Sequence, residues 1–400
     1  MTRNVFVVGI GMVPFGKPGK SDNYVAMGAG ALRAALDDAR LDYTDVQQTY
    51  AGYVYGDSCC GQRVAYEVGM TGIPVFNVNS NCSTGSSALF LARQAIDCGS
   101  IDCALVVGFE QMQAGALVEH FPDRPSPLSP LVDLAIKHYG IDPKTPLALA
   151  LFAAAGQEYR SRYGIPAERF ARLMGSIAVK ARRHAANNAK ALFRDPVTVE
   201  DVVSAPMFCD PITRLCACPP TCGAAAAVLA SEDYVRSRGL DRRVRIRAQA
   251  LVTDTADTFD PPSGMNAVGY GMSARAARQV CERAGVDPRD IPVVELHDCF
   301  TVNELITYEA LGLTGEGTAE DFVGRGANTY GGQVVVNPSG GLLAKGHPLG
   351  ATGIAQCNEL VEQLRGTAGA RQVAGARLAL AHNIGLGGAC VVTLYEQMPS

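Results

Sequence analysis

The 400-residue sequence predicts an α/β protein of two similar halves, together a pseudo-twofold αβαβα sandwich, with a mostly helical insertion in the first half. Three observations carry this. Short apolar runs of strand length alternate with amphipathic stretches of helical period, which reads as a mainly parallel sheet with helices on both faces. The alternation occurs twice, matching in pattern and not in letters. Between the two rounds, the proline-punctuated loop FPDRPSPLSP leads into a long helical pattern. The expected division is residues 1–119 and 218–265 for the N-terminal half, 120–217 for the loop domain, and 266–400 for the C-terminal half.

In order, strand VFVVGIG is followed by a Pro/Gly turn at 14–19 and a helix near 23–39. Strands follow near 49–55 and 75–78, then a helix whose apolar spacing begins at Ala88, and a buried strand at 104–108. The insertion reads as helices over 146–163 and 167–188, with a short element at 199–203, and 224–229 is a strand returning to the first sheet. The second round places strands at 244–252, 292–296 and 334–336, alternating with helices at 273–284, 301–311 and 351–364. It ends in a hairpin of strands near 378–382 and 389–395.

Composition narrows the function classes. With 48% hydrophobic and 18% charged residues, the chain reads as a soluble globular protein, and 43 glycines without a repeat period suit many tight strand–helix turns. A net charge of −4 argues against nucleic acid or an anionic membrane as a partner held by a general field. No apolar run is long enough to insert into a membrane. Thirteen cysteines in a chain this long do not form a small-scaffold disulfide pattern, and no signal peptide is read before the first strand. The expected compartment is therefore the reducing cytoplasm; the last residues, 396–400, are not a peroxisomal address.

Two motifs are weak. Gly9 and Gly11 resemble the start of a dinucleotide fingerprint, but Gly16 comes too late and Pro14 intrudes. Cys209, Cys216, Cys218 and Cys222 invite zinc, but neither pair has the C-x₂-C spacing and Pro219–Pro220 interrupts the loop, so no metal is expected.

The chemistry concentrates in four stretches. In VFNVNSNCSTGSSALFLARQA, Cys82 lies between a strand and the start of a helix, a place that favours the nucleophilic thiolate. ELHDCF carries His297 and Cys299 two residues apart, on one face of an extended segment. NPSGGLLAKGHPLGATG holds His347 between glycine and proline in a glycine-rich loop, where a histidine is the natural activator of a thiol. The fourth, HNIGLGG, joins the last two strands. Separately, Lys180, Arg182, Arg183 and His184 make a basic helix end. It reads either as a solvated turn complementing the helix dipole or as a phosphate grip for a charged ligand.

NCSTGSSAL, HDCF, NPSGGLLAKGHPLGATG and HNIGLGG, in this order and spread over the whole chain, resemble the thiolase superfamily, specifically its sterol carrier protein 2-type branch. The resemblance implies the five-layered thiolase fold with a loop domain, assembled as homodimers or tetramers. It implies cleavage of a 3-oxoacyl-CoA by coenzyme A to a shortened acyl-CoA plus acetyl-CoA or propionyl-CoA, or the reverse condensation, with branched or steroid side-chain substrates suggested by the branch. Coenzyme A is then a substrate, and no cofactor is implied. Cys82 corresponds to the acyl-accepting nucleophile and His347 to the histidine that activates it. This chain has Asn383 where the family usually carries its second cysteine, so Cys299 takes the acid/base role. His297 shares one oxyanion hole with His347, and the backbone N–H groups of Cys82 and Gly385 form the other. Arg183, His184 and Cys222 are the expected coenzyme A contacts, with Cys222 standing where an acidic or amide residue is usual. No lipid-transfer domain is expected in this chain. The alternatives are a ketoacyl-synthase-like condensing enzyme and a non-catalytic acyl-CoA-binding or aldolase-partner subunit.

Overall fold

The computed structural model describes residues 3–115 and 121–399, so His120 and the expected boundary at 119/120 lie outside the described residues. The strands are β1 (Val5–Met12), β2 (Gln48–Gly52), β3 (Val75–Val78), β4 (Cys103–Glu110), β5 (Met207–Cys209), β6 (Ile212–Thr213), β7 (Gly223–Ser231), β8 (Val244–Val252), β9 (Val293–Glu295), β10 (Val335–Val336), β11 (Leu378–Gly385) and β12 (Ala389–Gln397). β5 and β6 form a small hairpin in the insertion; the rest form one sheet in the order β10-β9-β11-β12-β8-β1-β7-β4-β2-β3. Read outward from the centre, β1-β7-β4-β2-β3 on one side matches β8-β12-β11-β9-β10 on the other. This is the expected pseudo-twofold, and within the sheet the halves join where β1 pairs with β8, at Phe6–Arg245.

Helices complete the layers. Tyr24–Ala39 packs on β1, β7 and β4, and Tyr270–Ala284 packs on β8 and β12. Thr84–Asp97 and Thr352–Arg365 touch each other and strands of both halves, so they form the shared middle layer. Covered on both faces, β4 and β7 are buried at every position, which explains the near-continuous apolar runs CALVVGFE and GAAAAVLAS.

Two expectations need correction. The sheet is mixed rather than mainly parallel. Only β2 with β3 and β4, and β9 with β10 and β11, pair in parallel, while β7 and β12 run antiparallel to both neighbours. Each enters from a long return or a tight hairpin, not a helical crossover. The strand at 244–252 also belongs to the second half: β8 pairs along its length with β12 and touches β1 once, so the first half ends before it.

The insertion's main helices, Ser129–Tyr139, Leu147–Arg162 and Ala167–Ala185, share one apolar core with the second half, from Phe152 and Phe170 to Leu296, Phe300 and Leu305. Buried Lys180 pairs with buried Glu304, and the Tyr159 hydroxyl donates to Glu309 at 2.6 Å. The insertion is therefore clamped directly under the segment that carries His297 and Cys299.

A β-carbon on Gly108, near the end of β4, would stand 2.1 Å from the Gly350 carbonyl oxygen. Gly108→Ala should therefore cost about 1–3 kcal/mol or more, read as a lower denaturant midpoint with an unchanged slope.

Candidate active site

The Cys82 turn is fixed by its own polar residues. Ser83 Oγ donates to Ser80 O at 2.8 Å, Thr84 Oγ1 donates to Asn81 O at 2.5 Å, and Ser80 N–H donates to Thr84 Oγ1 at 2.9 Å. Asn81 sits at φ 52°, a left-handed conformation asparagine tolerates, and its Nδ2 donates to Leu386 O at 3.0 Å. That bond ties the turn to the HNIGLGG loop of the other half. Gly385 is equally close: a β-carbon there would lie 2.1 Å from Ser80 O, so the glycine backbone is brought directly against the Cys82 turn.

His347 and His297 converge on the thiol. Ligating atoms of Cys82, His297 and His347 all lie within 4.8 Å of one another, and the two rings meet edge to face with centroids 5.0 Å apart. The hydrogen-bond network assigns the two rings opposite tautomers. Thr352 Oγ1 donates its one proton to Pro348 O at 2.9 Å, so it must accept from His347 Nδ1, 2.7 Å away. His347 Nε2 is then a lone-pair acceptor, buried and without a partner among the described residues. For His297 the order reverses. Ser86 Oγ donates to Asn383 Oδ1 at 3.1 Å, which turns the amide nitrogen onto His297 Nδ1 at 2.8 Å and leaves the proton on Nε2. One ring is built to take a proton; the other is built to donate a hydrogen bond.

Burial holds all of these groups neutral at rest. It lowers the His347 pKa to about 3 and that of His297 well below the usual imidazole value, the neighbouring His347 adding to the latter. Desolvation, followed by the field of Glu110, pushes the Cys82 thiol up to about 12. The expected resting thiolate is therefore corrected: loss of water around the sulfur outweighs the helix terminus. Cys299 is also buried and its thiol is raised well above the usual value, first by desolvation and then by Cys218 and Cys82, so it is a neutral proton donor at rest.

Around this centre the backbone is laced together. Asp298 accepts from Leu342 N–H at 2.7 Å and Leu343 N–H at 3.4 Å, joining HDCF to the loop leading to His347. Asn303 donates to His297 O. The segment before β7 crosses the site, with Cys218 N–H donating to Cys299 O at 2.9 Å and a bridge between Pro220 and His347.

The expected coenzyme A contacts fare differently. His184 is buried, with Nδ1 on Asn337 O at 3.0 Å and Nε2 on Thr329 Oγ1 at 2.8 Å, and burial lowers its pKa to about 3. It is a structural pin, not a phosphate contact, because loop residues of the second half pack over it. Lys180 is likewise spent on Glu304. Cys222 is fully buried and its thiol donates to Met112 O at 3.4 Å, so its side chain is turned to the interior rather than offered to coenzyme A. Arg183 is exposed. The four clustered cysteines do not converge: Cys216 bonds Thr213 and Cys222 turns to Met112. Among the described residues the trio Cys82, His297 and His347 alone has metal-ligand geometry, and the proton on His297 Nε2 opposes a metal there. Thr352 and Glu110 were not singled out by sequence reasoning, and Asn383 and Cys218 were noted there for other reasons, without a place beside the histidines or Cys299. The available signals were a threonine five residues after His347 and a glutamate ending an apolar strand.

A buried thiol beside one imidazole with a free lone pair and another that carries its ring proton is the arrangement of a Cys–His enzyme suited to acyl transfer. Residues 5–233 match the family described as "Thiolase, N-terminal domain", and residues 263–395 match "Thiolase C-terminal domain-like". Sterol carrier protein 2 of Oryctolagus cuniculus is 51% identical over 396 residues, covering 98% of this chain and 72% of that protein. Among solved structures, an Ltp2-ChsH2(DUF35) aldolase superposes with TM-score 0.81 at 23% identity, covering 98% of each chain. Human mitochondrial 3-ketoacyl-CoA thiolase superposes with TM-score 0.73 at 20% identity, covering 99% of each. The chain belongs to the thiolase family and is an acyltransferase.

Because the resting thiol is neutral, alkylation of Cys82 by iodoacetamide in the ligand-free protein should keep accelerating as pH rises past about 9, the ordinary thiol value. A plateau near neutrality would show a preformed thiolate instead.

Proposed function

We propose that this protein cleaves 3-oxoacyl-CoA thioesters with coenzyme A, through an acyl-Cys82 intermediate. The observation that carries this reading is the pair of opposed tautomers beside one buried thiol. His347 Nε2 takes the thiol proton as Cys82 Sγ attacks the keto carbon, and the bond between the second and third acyl carbons breaks. His297 Nε2–H, with the protonated His347, faces the thioester oxygen where enolate charge gathers, and the Cys82 and Gly385 backbone N–H groups serve the other oxyanion. Cys299 gives its proton to the enolate carbon, releasing acetyl-CoA, or propionyl-CoA when the substrate is branched at that carbon. The Cys299 thiolate then takes the proton of incoming coenzyme A. The new CoA thiolate attacks the acyl-Cys82 carbonyl, and Cys82 leaves and recovers its proton from His347. Each group ends as it began. Branched or steroid side-chain acyl groups are the proposed substrates, and Arg183 remains the candidate coenzyme A contact.

No helix among the described residues is long and apolar enough to cross a membrane. All thirteen cysteines are free, which suits a reducing cytoplasm. We place a second copy of this chain along β3. This strand ends the sheet, carries exposed Phe76, and is flanked by exposed Tyr66, Met70 and Leu91.

Intact-mass spectrometry after brief exposure to a 3-oxoacyl-CoA without free coenzyme A should show an acyl-sized gain on the wild type and none on Cys82→Ala. No gain at any chain length would sink the reading and favour a silent acyl-CoA binder. Light scattering should report a dimer or tetramer that Phe76→Glu shifts toward monomer.

A further inference from the structure

One buried carboxylate has no place in the reaction above. Glu110, the last residue of β4, is 1% exposed, and no cation pairs with it among the described residues. Its Oε1 accepts from Tyr55 N–H at 2.9 Å, and its Oε2 accepts from Val54 N–H at 3.1 Å and Gly350 N–H at 3.0 Å. Val54 and Tyr55 continue from the end of β2 in the first half. Gly350 belongs to the second half, three residues beyond His347. Where these segments meet there is no spare room: a β-carbon on Gly350 would lie 2.5 Å from Phe109 O and 2.6 Å from Gly52 O.

We propose that Glu110 is a positioning residue for the reaction. Its carboxylate draws the His347 loop of one half onto the strand ends that support Cys82 in the other, and so sets the approach of His347 Nε2 to the thiol. The proposal rests on the acyl-Cys82 reading and adds a residue to it.

An amide or an apolar side chain of the same size could fill the space, but only a carboxylate accepts all three N–H groups without offering a competing donor. Retaining a charge here is unfavourable in itself, since burial raises the Glu110 pKa to about 7. The titratable groups that feel it are Tyr55 and Cys82, both of which its charge pushes upward. Near neutrality the clamp therefore exists in two forms. Above about pH 7 both oxygens accept; below it, a proton occupies one oxygen, an N–H loses its acceptor, and the loop loosens. The acylation rate should fall on the acid side, although neither Cys82 nor His347 titrates there.

The test measures the rate of acyl-Cys82 formation at saturating 3-oxoacyl-CoA across neutral pH, together with KM, for wild type, Glu110→Gln and Glu110→Asp. Glu110→Gln should acylate about 10- to 100-fold more slowly with KM nearly unchanged and without the acid limb near pH 7. Glu110→Asp keeps the charge with a shorter reach, so it should acylate at an intermediate rate and keep an acid limb. Glu110→Gln acylating within about twofold of wild type, or keeping the same limb, overturns the proposal. If Glu110→Gln does not fold, a wild-type profile flat through pH 7, or a Glu110→Asp rate equal to wild type, overturns it instead. Absence of any acyl adduct on the wild type would sink the acyl-Cys82 reading itself, an outcome separate from the failure of Glu110.

Discussion

The site depends on a seam where backbone meets backbone. The loop around Gly350 lies against the ends of β2 and β4 so closely that Gly108 has no space for a side chain. Cys82 belongs to the first half and His347, His297 and Cys299 to the second, so the candidate site is assembled only where the halves touch. Tight packing makes such a seam reproducible, because a close-packed interface has few alternative arrangements at similar energy. Hydrogen bonds crossing it, from Asn81 to Leu386 and from Gly350 to Glu110, convert that contact into a defined register.

Desolvation then decides the charge state. In water a thiol beside an imidazole at a helix start would share its proton readily. Here both are stripped of solvent, and the neutral pair is favoured on both sides. Direction comes from hydrogen bonds one step removed. Thr352 and Asn383 touch no thiol, yet each decides which nitrogen of its histidine carries the proton. The reactive arrangement is thus a matter of two side chains on Thr352–Arg365 and β11 facing inward from the second half.

Much of this was legible in the sequence, and the remainder was not for identifiable reasons. Period and turn residues place the strands of the main sheet and its long helices, but they miss Ser129–Tyr139, hidden at the end of the proline-rich loop, and short helices such as Cys60–Ala65, Glu232–Arg238 and Ala319–Gly324. The motifs around Cys82, His297, His347 and Gly385 lie together in the fold. What pattern cannot carry is partnership across the chain. His184 closes a run of basic residues and reads as a coenzyme A contact, but Asn337 and Thr329, far along the sequence, cover it. Cys222 sits in a polar-looking loop and is buried by Met112 and the turn at Gly16. β8 opens the second half, although its letters give no sign of whether it pairs with β1 or β12. The direction of β7 depended on how the insertion returns, which local periodicity does not encode.

The neutral resting thiol has a consequence for endurance. Peroxides and electrophiles attack thiolate sulfur, and a cysteine kept protonated in an apolar pocket reacts with them slowly. A preformed thiolate–imidazolium pair would stand exposed to oxidative loss through every idle interval between turnovers. In the proposed mechanism the sulfur gains nucleophilic character only as His347 withdraws its proton, which would confine its period of chemical vulnerability to the moments when a substrate occupies the site.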